Sequence, residues 1–445
     1  MRQFKTVALS TVAALVLAAC GGGGGDGDQR PAVAYSQVVS FGDSLSDAGT
    51  YRVGVVAQLG GGQFTVNGIG GAPGAEPVPS YTWAQLISAA AVGKTNCAAR
   101  LGGFGVAPTK VAGCTNYAQG GARVKEAIGP GNQGGYAAAL TEPVTTQIAN
   151  FLADGTGVTG RELITISAGA NDLFVATNVL AQEAAAAGGQ ALATSLVTQL
   201  VGRVPPAQQA SAQGAISAAI SAETAKPGTA PSAIIGAAIA AAVAHATANG
   251  YSTTAAQDAA SIGATAADAA TSAGNAYAAG PGAQKAAATM VQAAGDLVAA
   301  VKGLIAKGAQ HVVLINIPDI SQTPKGRSVS ASQQALILGL TRAFNDALAQ
   351  GLAGVPQALV VDAFGENRRQ IADPAHYALS NVVDMACNVS PQANPLGSSL
   401  GCTPRNLNPG DRSRYMFADD VHPTPYEHKL LAQYVIKALV LNRWL

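Results

Sequence analysis

At 445 residues the chain is longer than one compact core needs, and a single large α/β domain carrying an insertion accommodates it. Only 11% of residues are charged and the net charge is +1, which excludes the electrostatic footprint of a nucleic-acid binder. Glycine (53 residues) is abundant, aromatics are 5%, and 48% of residues are hydrophobic, a composition that excludes disorder and suits closely packed helices joined by many turns.

The first segment, 1–19, reads as an export signal. "MRQFK" supplies positive charge, "TVALSTVAALVLA" a short apolar stretch, and "LAAC" (17–20) a small-residue cleavage site. The apolar run is too short to span a bilayer comfortably. A cysteine in that place resembles the bacterial lipoprotein signal, which implies lipid modification of Cys20 after removal of 1–19. The alternative is an ordinary secretory signal with an incidental Cys20. The following "GGGGGDGDQRP" (21–31) has the composition of a flexible spacer, so 20–34 is read as a lipid-anchored tether. No Asp follows Cys20, and the resemblance therefore points to the outer membrane, on its periplasmic side or at the cell surface.

Further along, four continuous apolar or β-branched runs predict strands: "QVVSF" (37–41), "ELITISA" (162–168), "HVVLINI" (311–317) and "ALVVDA" (358–363). Runs without alternation belong to strands covered on both faces. "GDLVAAVKGLIAKGA" (295–309) repeats apolar residues at helical spacing and stops at Lys-Gly just before a strand. Helix, short turn and buried strand together predict a parallel sheet between helical layers, with any ligand site at the carboxyl ends of the strands. "GDS" (42–44) and "GAND" (169–172) both follow strands.

Between 181 and 300, 46 of 120 residues are Ala and eight are charged, with helix breakers at "PP" (205–206), "KPGTAP" (226–231), "ANGYS" (248–252) and "AGPG" (279–282). Several helices are expected, with 181–292 as an Ala-rich helical insertion. "SAIIGAAIAAAVAHA" (232–246) is nearly uncharged but too short for a membrane span; it reads as a buried helix, or more sharply as a lid or lipid-facing surface. His245 within it is expected to be packed or partly exposed.

Besides Cys20 the chain has Cys97, Cys114, Cys387 and Cys402. Export places them in an oxidising compartment, where two disulfides are expected. Four cysteines allow three pairings. The local one, Cys97–Cys114 with Cys387–Cys402, is the expected pairing, each bond closing a glycine-rich loop. Their spacings are not those of metal ligands, and no metal or other cofactor is expected.

Near the C-terminus, "FADDVHPTPYEHKLLAQYV" (417–435) sets His422 three residues after Asp419 and before a "PTP" that forces extended or turning backbone. A carboxylate folded back onto the imidazole would fix its tautomer and leave the second ring nitrogen free to take a proton from a serine. Asp420 stands one residue nearer and is less able to fold back. His428 is expected on the solvent face of the last helix. "NYAQGGARV" (116–124) offers a Gly-Gly turn, and "ISAGANDLF" (166–174) the amide of Asn171. Each piece alone has a plain structural reading: Ser44 a cap or turn residue, Asp419 and His422 a surface ion pair, Asn171-Asp172 a helix cap.

In this order, however, "FGDSLSD", "NYAQGGA", "GAND" and "DDVHPT" resemble the four sequence blocks of the GDSL esterase/lipase family, the SGNH hydrolases. "VNG" (66–68), "YTWAQL" (81–86) and "NIPDISQTP" (316–324) are similar too. The resemblance implies a three-layer α/β/α flavodoxin-like sandwich, with hydrolase parts at 35–180 and 293–445 around the insertion. It implies Ser44 as nucleophile, His422 as general base and acid, and Asp419 as the orienting carboxylate. The backbone N–H groups of Ser44 and Gly120 and the Asn171 side chain would form the oxyanion hole. Ser44 would stand at a helix start and gain from the dipole there. The expected reaction is hydrolysis of carboxylic esters, lipid or acyl-chain esters among them. The alternatives are acyl transfer to an alcohol at the same site, or a non-catalytic surface lipoprotein.

Overall fold

A computed structural model describes residues 33–68, 80–155 and 157–445. The export signal, Cys20 and nearly all of the tether lie outside these residues. The chain begins with β1 (Gln37–Gly42), α1 (Gly54–Gln58) and α2 (Trp83–Val92). A hairpin of β2 (Arg100–Gly103) and β3 (Val106–Lys110) precedes α3 (Val144–Asp154) and β4 (Glu162–Ser167). Five long helices follow: α4 (Ala170–Val201), α5 (Gln209–Thr224), α6 (Pro231–Ala248), α7 (Ala259–Ala279) and α8 (Pro281–Ala306). The second half is β5 (His311–Ile315), α9 (Pro324–Arg327), α10 (Ala331–Leu352), β6 (Ala358–Val361), α11 (Ala363–Ala372), β7 (Asn381–Met385), β8 (Tyr415–Phe417) and α12 (Pro425–Leu441).

The four apolar runs form one parallel sheet in the order β1-β4-β5-β6. Their burial explains why they do not alternate: every residue of β4 is buried, and four of the five in β5. Successive side chains still point to opposite faces. Val38, Leu163 and Val313 pack with Trp83 of α2 and Val435 of α12. Val39, Ile164 and Val312 pack with Leu297 of α8 and Phe344 of α10. The molecule is therefore a mixed α/β fold with a central parallel sheet between helical layers. Each fully buried Leu, Ile or Phe contributes roughly 1.5–3 kcal/mol, which makes these two faces the source of the body's stability.

A fifth position beside β1 is occupied by Thr115–Tyr117, whose backbone bonds Ser40 from both sides: Ser40 N–H donates to the Thr115 carbonyl (3.0 Å) and Tyr117 N–H to the Ser40 carbonyl (2.7 Å). This run delivers the Gly120-Gly121 turn to the carboxyl edge of the sheet. Disulfides join Cys97 to Cys114 (Cα–Cα 4.8 Å) and Cys387 to Cys402 (Cα–Cα 6.0 Å). The first ends one residue before Thr115, and the second anchors the loop before Thr403.

In the Ala-rich region α4 runs unbroken from Ala170 through 181, and α8 runs unbroken through 292. The boundaries at 181 and 292 thus mark a change of composition and not a break in the chain. Leu192, Leu196 and Leu200 of α4, Ile216 and Ile220 of α5 and Ile262 of α7 form a separate core. The small residues let helices approach closely, since a Cβ on Gly188 of α4 would stand 2.9 Å from the Ala270 carbonyl of α7. At 18 residues α6 is longer than the apolar stretch read from the sequence and reaches the length of a membrane-crossing helix by length and composition. In this fold its Ala238, Ala242 and Ala246 are buried, the first two in that same core. His245 bonds the Tyr251 hydroxyl (2.8 Å) and the Ser211 hydroxyl (3.0 Å) from its two ring nitrogens.

Candidate active site

The carboxyl end of β1 brings Ser44 to the top of the sheet. Gly42 has φ +138°, and a Cβ there would lie 2.1 Å from the Ser167 carbonyl at the end of β4, so only glycine fits. Gln147 of α3 clamps it from both sides, accepting from Gly42 N–H and donating to its carbonyl, each at 2.8 Å. Asp43 then folds the turn: its Oδ1 accepts from Leu45 N–H (3.1 Å) and from the Ser167 hydroxyl (3.0 Å). Ser44 sits in this turn and not at the start of a helix, since α1 begins only at Gly54. The expected gain from a helix dipole is corrected accordingly. The Asp43 carboxylate, with its backbone carbonyl accepting from Ser46 and Asp47 N–H, shapes the turn instead.

His422 reaches Ser44 across the chain's full length, with Nε2 2.9 Å from Ser44 Oγ. Its Nδ1 lies 2.8 Å from Asp419 Oδ2 and 2.9 Å from Oδ1. With Nδ1–H donating to the carboxylate, Nε2 carries the lone pair and accepts from the serine hydroxyl. The loop between β8 and α12 is closed on itself by Ala418 N–H to the His422 carbonyl (2.7 Å) and by Thr424 N–H to the Met416 carbonyl (2.9 Å). Asp419 is 2% exposed and its remaining lone pairs are filled: Oδ1 accepts from His422 N–H (2.7 Å) and Val421 N–H (3.0 Å), Oδ2 from Ser399 N–H (2.6 Å). Asp420 points away and pairs with Lys325 at 2.8 Å.

These contacts set the charges. Burial alone would raise the Asp419 carboxyl, but the His422 charge and hydrogen bond, with the Ser399 N–H, hold it well below the usual carboxylate range. Burial disfavours the His422 imidazolium, and the Asp419 carboxylate more than offsets this, so His422 titrates above its ordinary value.

Of the expected oxyanion donors, Asn171 and Ser44 line one pocket with His422. Asn171 spends one amide hydrogen on the Ala122 carbonyl (2.9 Å), which orients the side chain. Ser44 N–H has no acceptor among the described residues. Gly120 is corrected: its N–H donates to Asp47 Oδ2 at 2.9 Å and is not free to meet an oxyanion. The next residue, Gly121 at φ +81°, has an N–H without an acceptor among the described residues. Gly120 is needed for a different reason, because a Cβ there would fall 2.0 Å from the Phe64 ring. Phe64 in turn packs on His422 with ring centroids 4.9 Å apart.

Asp47 ties the serine turn to the glycine turn, accepting from Gly49 N–H (2.8 Å), Thr50 N–H (2.7 Å) and Gly120 N–H. Burial pushes its carboxyl up to about 6 against those bonds. Asp172, the residue after Asn171, pairs with Arg123 at 3.0 Å and accepts from Val124 N–H, binding α4 to the segment after the Gly-Gly turn. His428 is also corrected. It is fully buried, its Nδ1 accepts from Trp83 N–H (3.3 Å), and burial drives its imidazolium down to about 3.

Phe64, Asp47 and Ser399 were not legible as functional residues. The Ser399 contribution is a backbone N–H, which every non-proline residue carries, so no side-chain pattern announces it. The pocket beside Ser44, about 80 Å³, is lined mainly by apolar groups, among them Leu45, Phe174, Ile320, Met416, Val421 and Leu431. None of its lining residues falls between 181 and 292.

A serine bonded to an imidazole, the imidazole bonded to a buried carboxylate, and unengaged N–H groups nearby constitute the apparatus of nucleophilic acyl transfer. Residues 38–216 match the family model described as GDSL-like Lipase/Acylhydrolase, a stretch containing Ser44, Gly120, Gly121 and Asn171 but neither Asp419 nor His422. This part of the chain is similar to the GDSL-like hydrolases. No curated protein matches the chain.

Proposed function

We propose that the protein hydrolyses carboxylic esters through an acyl-enzyme on Ser44. The observation that carries this reading is the continuous hydrogen-bonded line from Ser44 Oγ through His422 to the buried Asp419. His422 Nε2 takes the serine proton as Ser44 Oγ attacks the ester carbonyl. The resulting oxyanion is met by Ser44 N–H, Gly121 N–H and the second amide hydrogen of Asn171. The imidazolium, stabilised by Asp419, gives its proton to the leaving alcohol, and water then repeats the sequence to free the acid and Ser44. The mainly apolar pocket supports esters with an alkyl or acyl chain as substrates. Transfer to an alcohol would need water kept from the acyl-enzyme, and no residue of the 181–292 insertion lines the pocket to do so.

The test is turnover of p-nitrophenyl acetate by the mature chain beside Ser44→Ala. A fall in kcat of roughly 10³-fold or more is expected for the variant; equal rates would refute the reading.

We also propose export and lipid anchoring at Cys20 to the outer membrane, on the strength of "LAAC" and the glycine spacer alone. Labelling with a palmitate analogue should mark the wild type and leave Cys20→Ala unmarked and released from membranes. Equal membrane association of both would reject the anchor.

A further inference from the structure

Ala122 N–H donates to the Gln119 carbonyl at 3.1 Å, closing a four-residue turn with Gly120 and Gly121 at its centre. The φ of +81° at Gly121 is that of the third position in a type II turn. Types I and II differ by a half-rotation of the central peptide, here the plane that joins the Gly120 carbonyl to the Gly121 N–H. These two groups point in opposite directions from a trans plane, so the half-rotation would exchange them. With glycine on both sides the rotation meets little steric resistance. The turn residues alone therefore do not decide where the Gly121 N–H points.

Tyr51 decides it. Its side chain is fully buried, and its hydroxyl donates to the Gly120 carbonyl at 2.7 Å. Burial and the Asp47 charge push the phenol well above its ordinary value, so it keeps the proton it donates. The hydroxyl oxygen accepts from Thr141 N–H at 3.3 Å, which orients the O–H. Thr141 has φ +54°, where a β-branched residue is an outlier that its surroundings must impose. Its Cγ2 also stands 2.6 Å from where a Cβ on Gly121 would lie, walling the turn on that side.

The N–H of Gly120 is held as firmly, by Asp47 Oδ2 at 2.9 Å. Asp47 and Tyr51 follow Ser44 by three and seven residues, so the segment that carries the serine also grips Gly120 at both its N–H and its carbonyl. With the carbonyl turned to Tyr51, the Gly121 N–H is turned away from it, and it has no acceptor among the described residues. A hydrogen bond to the carbonyl also polarises the shared amide, which strengthens its N–H as a donor.

We propose that Tyr51 is a positioning residue for the oxyanion hole: by holding the Gly120 carbonyl it keeps the Gly121 N–H free to meet the oxyanion on Ser44. The inference rests on the ester-hydrolase reading above. Tyr51 does not line the pocket beside Ser44. Its hydroxyl therefore acts where charge develops on the substrate oxygen and not where the substrate is bound.

The experiment compares Tyr51→Phe with the wild type on p-nitrophenyl acetate. The variant loses the hydroxyl and keeps the ring that packs edge-on against Phe64. Rates are taken per active site titrated with a p-nitrophenyl alkylphosphonate, so that unfolded chains do not count as slow ones. In Tyr51→Phe kcat should fall by roughly 10- to 100-fold, less than for outright removal of an oxyanion donor. KM should stay within about two-fold of the wild type, and the His422 limb of the pH profile should not move. An alkyl trifluoromethyl ketone, whose adduct on Ser44 carries the oxyanion, should bind more weakly by the factor that kcat/KM loses. Unchanged kcat per titrated site, a loss carried by KM, or a displaced limb would overturn this inference alone. Absence of Ser44-dependent acetate turnover in the wild type would instead overturn the ester-hydrolase reading beneath it.

Discussion

Asp419 holds three backbone N–H groups and one imidazole with two oxygens, and this crowding determines how His422 works. An imidazolium beside a buried carboxylate is favoured, so His422 loses its proton only above its ordinary value near ~6.5. A base acts only when neutral. The kcat/KM profile should therefore rise with pH through a limb above that value. In Asp419→Asn the main support for the imidazolium is gone and burial is opposed only by the charges of Asp420 and Asp43, so the limb should move to lower pH while kcat falls by roughly 10⁴-fold. A limb that stays in place would show that Asp419 does not set the His422 titration. Gly120 makes a second case at this scale. Gly120→Ala drives a methyl into the Phe64 ring and, through it, displaces His422. A loss on the order of 10² in kcat/KM is expected, as for an ångström-scale misplacement of a catalytic group. Adding Phe64→Ala should recover part of it, whereas a Gly120 acting only as an oxyanion donor predicts no loss on Gly120→Ala and no recovery.

Among the elements, the loops that hold the acid matter more than the strands that hold the serine. Cys402 stands three residues beyond Ser399, and Asn67 donates to both the Ser399 and Cys402 carbonyls at 3.2 and 3.1 Å. The Cys387–Cys402 bond thus braces the N–H that holds Asp419. Replacing both cysteines by Ala should cost about 3 kcal/mol in guanidinium unfolding, the value for a loop of this size in the chain-entropy model. It should also move the His422 limb in the pH profile. Replacing Cys97 and Cys114 should lower stability by a similar amount and leave the limb alone. Identical limbs in both variants would remove the second disulfide from the catalytic account.

The element scale also explains what could be read in advance. The strands β1, β4, β5 and β6 were legible because burial on both faces demands uninterrupted apolar runs. Thr115–Tyr117 was not, because it pairs through single bridges, to Ser40 on one side and Ala98 on the other, and needs no apolar run. His428 was misplaced although the helical period carries it: it lies three residues before Leu431, four before Ala432 and seven before Val435, all buried. Gly120 and Gly121 are alike in sequence, and only the bond from Gly120 N–H to Asp47 tells them apart.

For the whole molecule, α4 spans both parts: its first turn presents Asn171 and its last turns enter the separate core of Leu196 and Leu200. The apolarity of 232–246 reads as a buried helix or a lid; the pocket walls come from the start of α4, from α11, β8 and α12, and from the loops after β1, β5 and β8. Ala-rich composition reports close helix packing, as at Gly188 and Ala270, and is silent on where the bundle stands relative to the serine. In the proposed reaction Ser44 becomes covalently acylated with His422 as its base. The most direct test is to treat the mature chain with a p-nitrophenyl alkylphosphonate and map the adduct by peptide mass spectrometry. One stoichiometric adduct on Ser44 is expected, formed far more slowly in His422→Ala. An adduct confined to another residue, or labelling of Ser44 at an unchanged rate in His422→Ala, would contradict it.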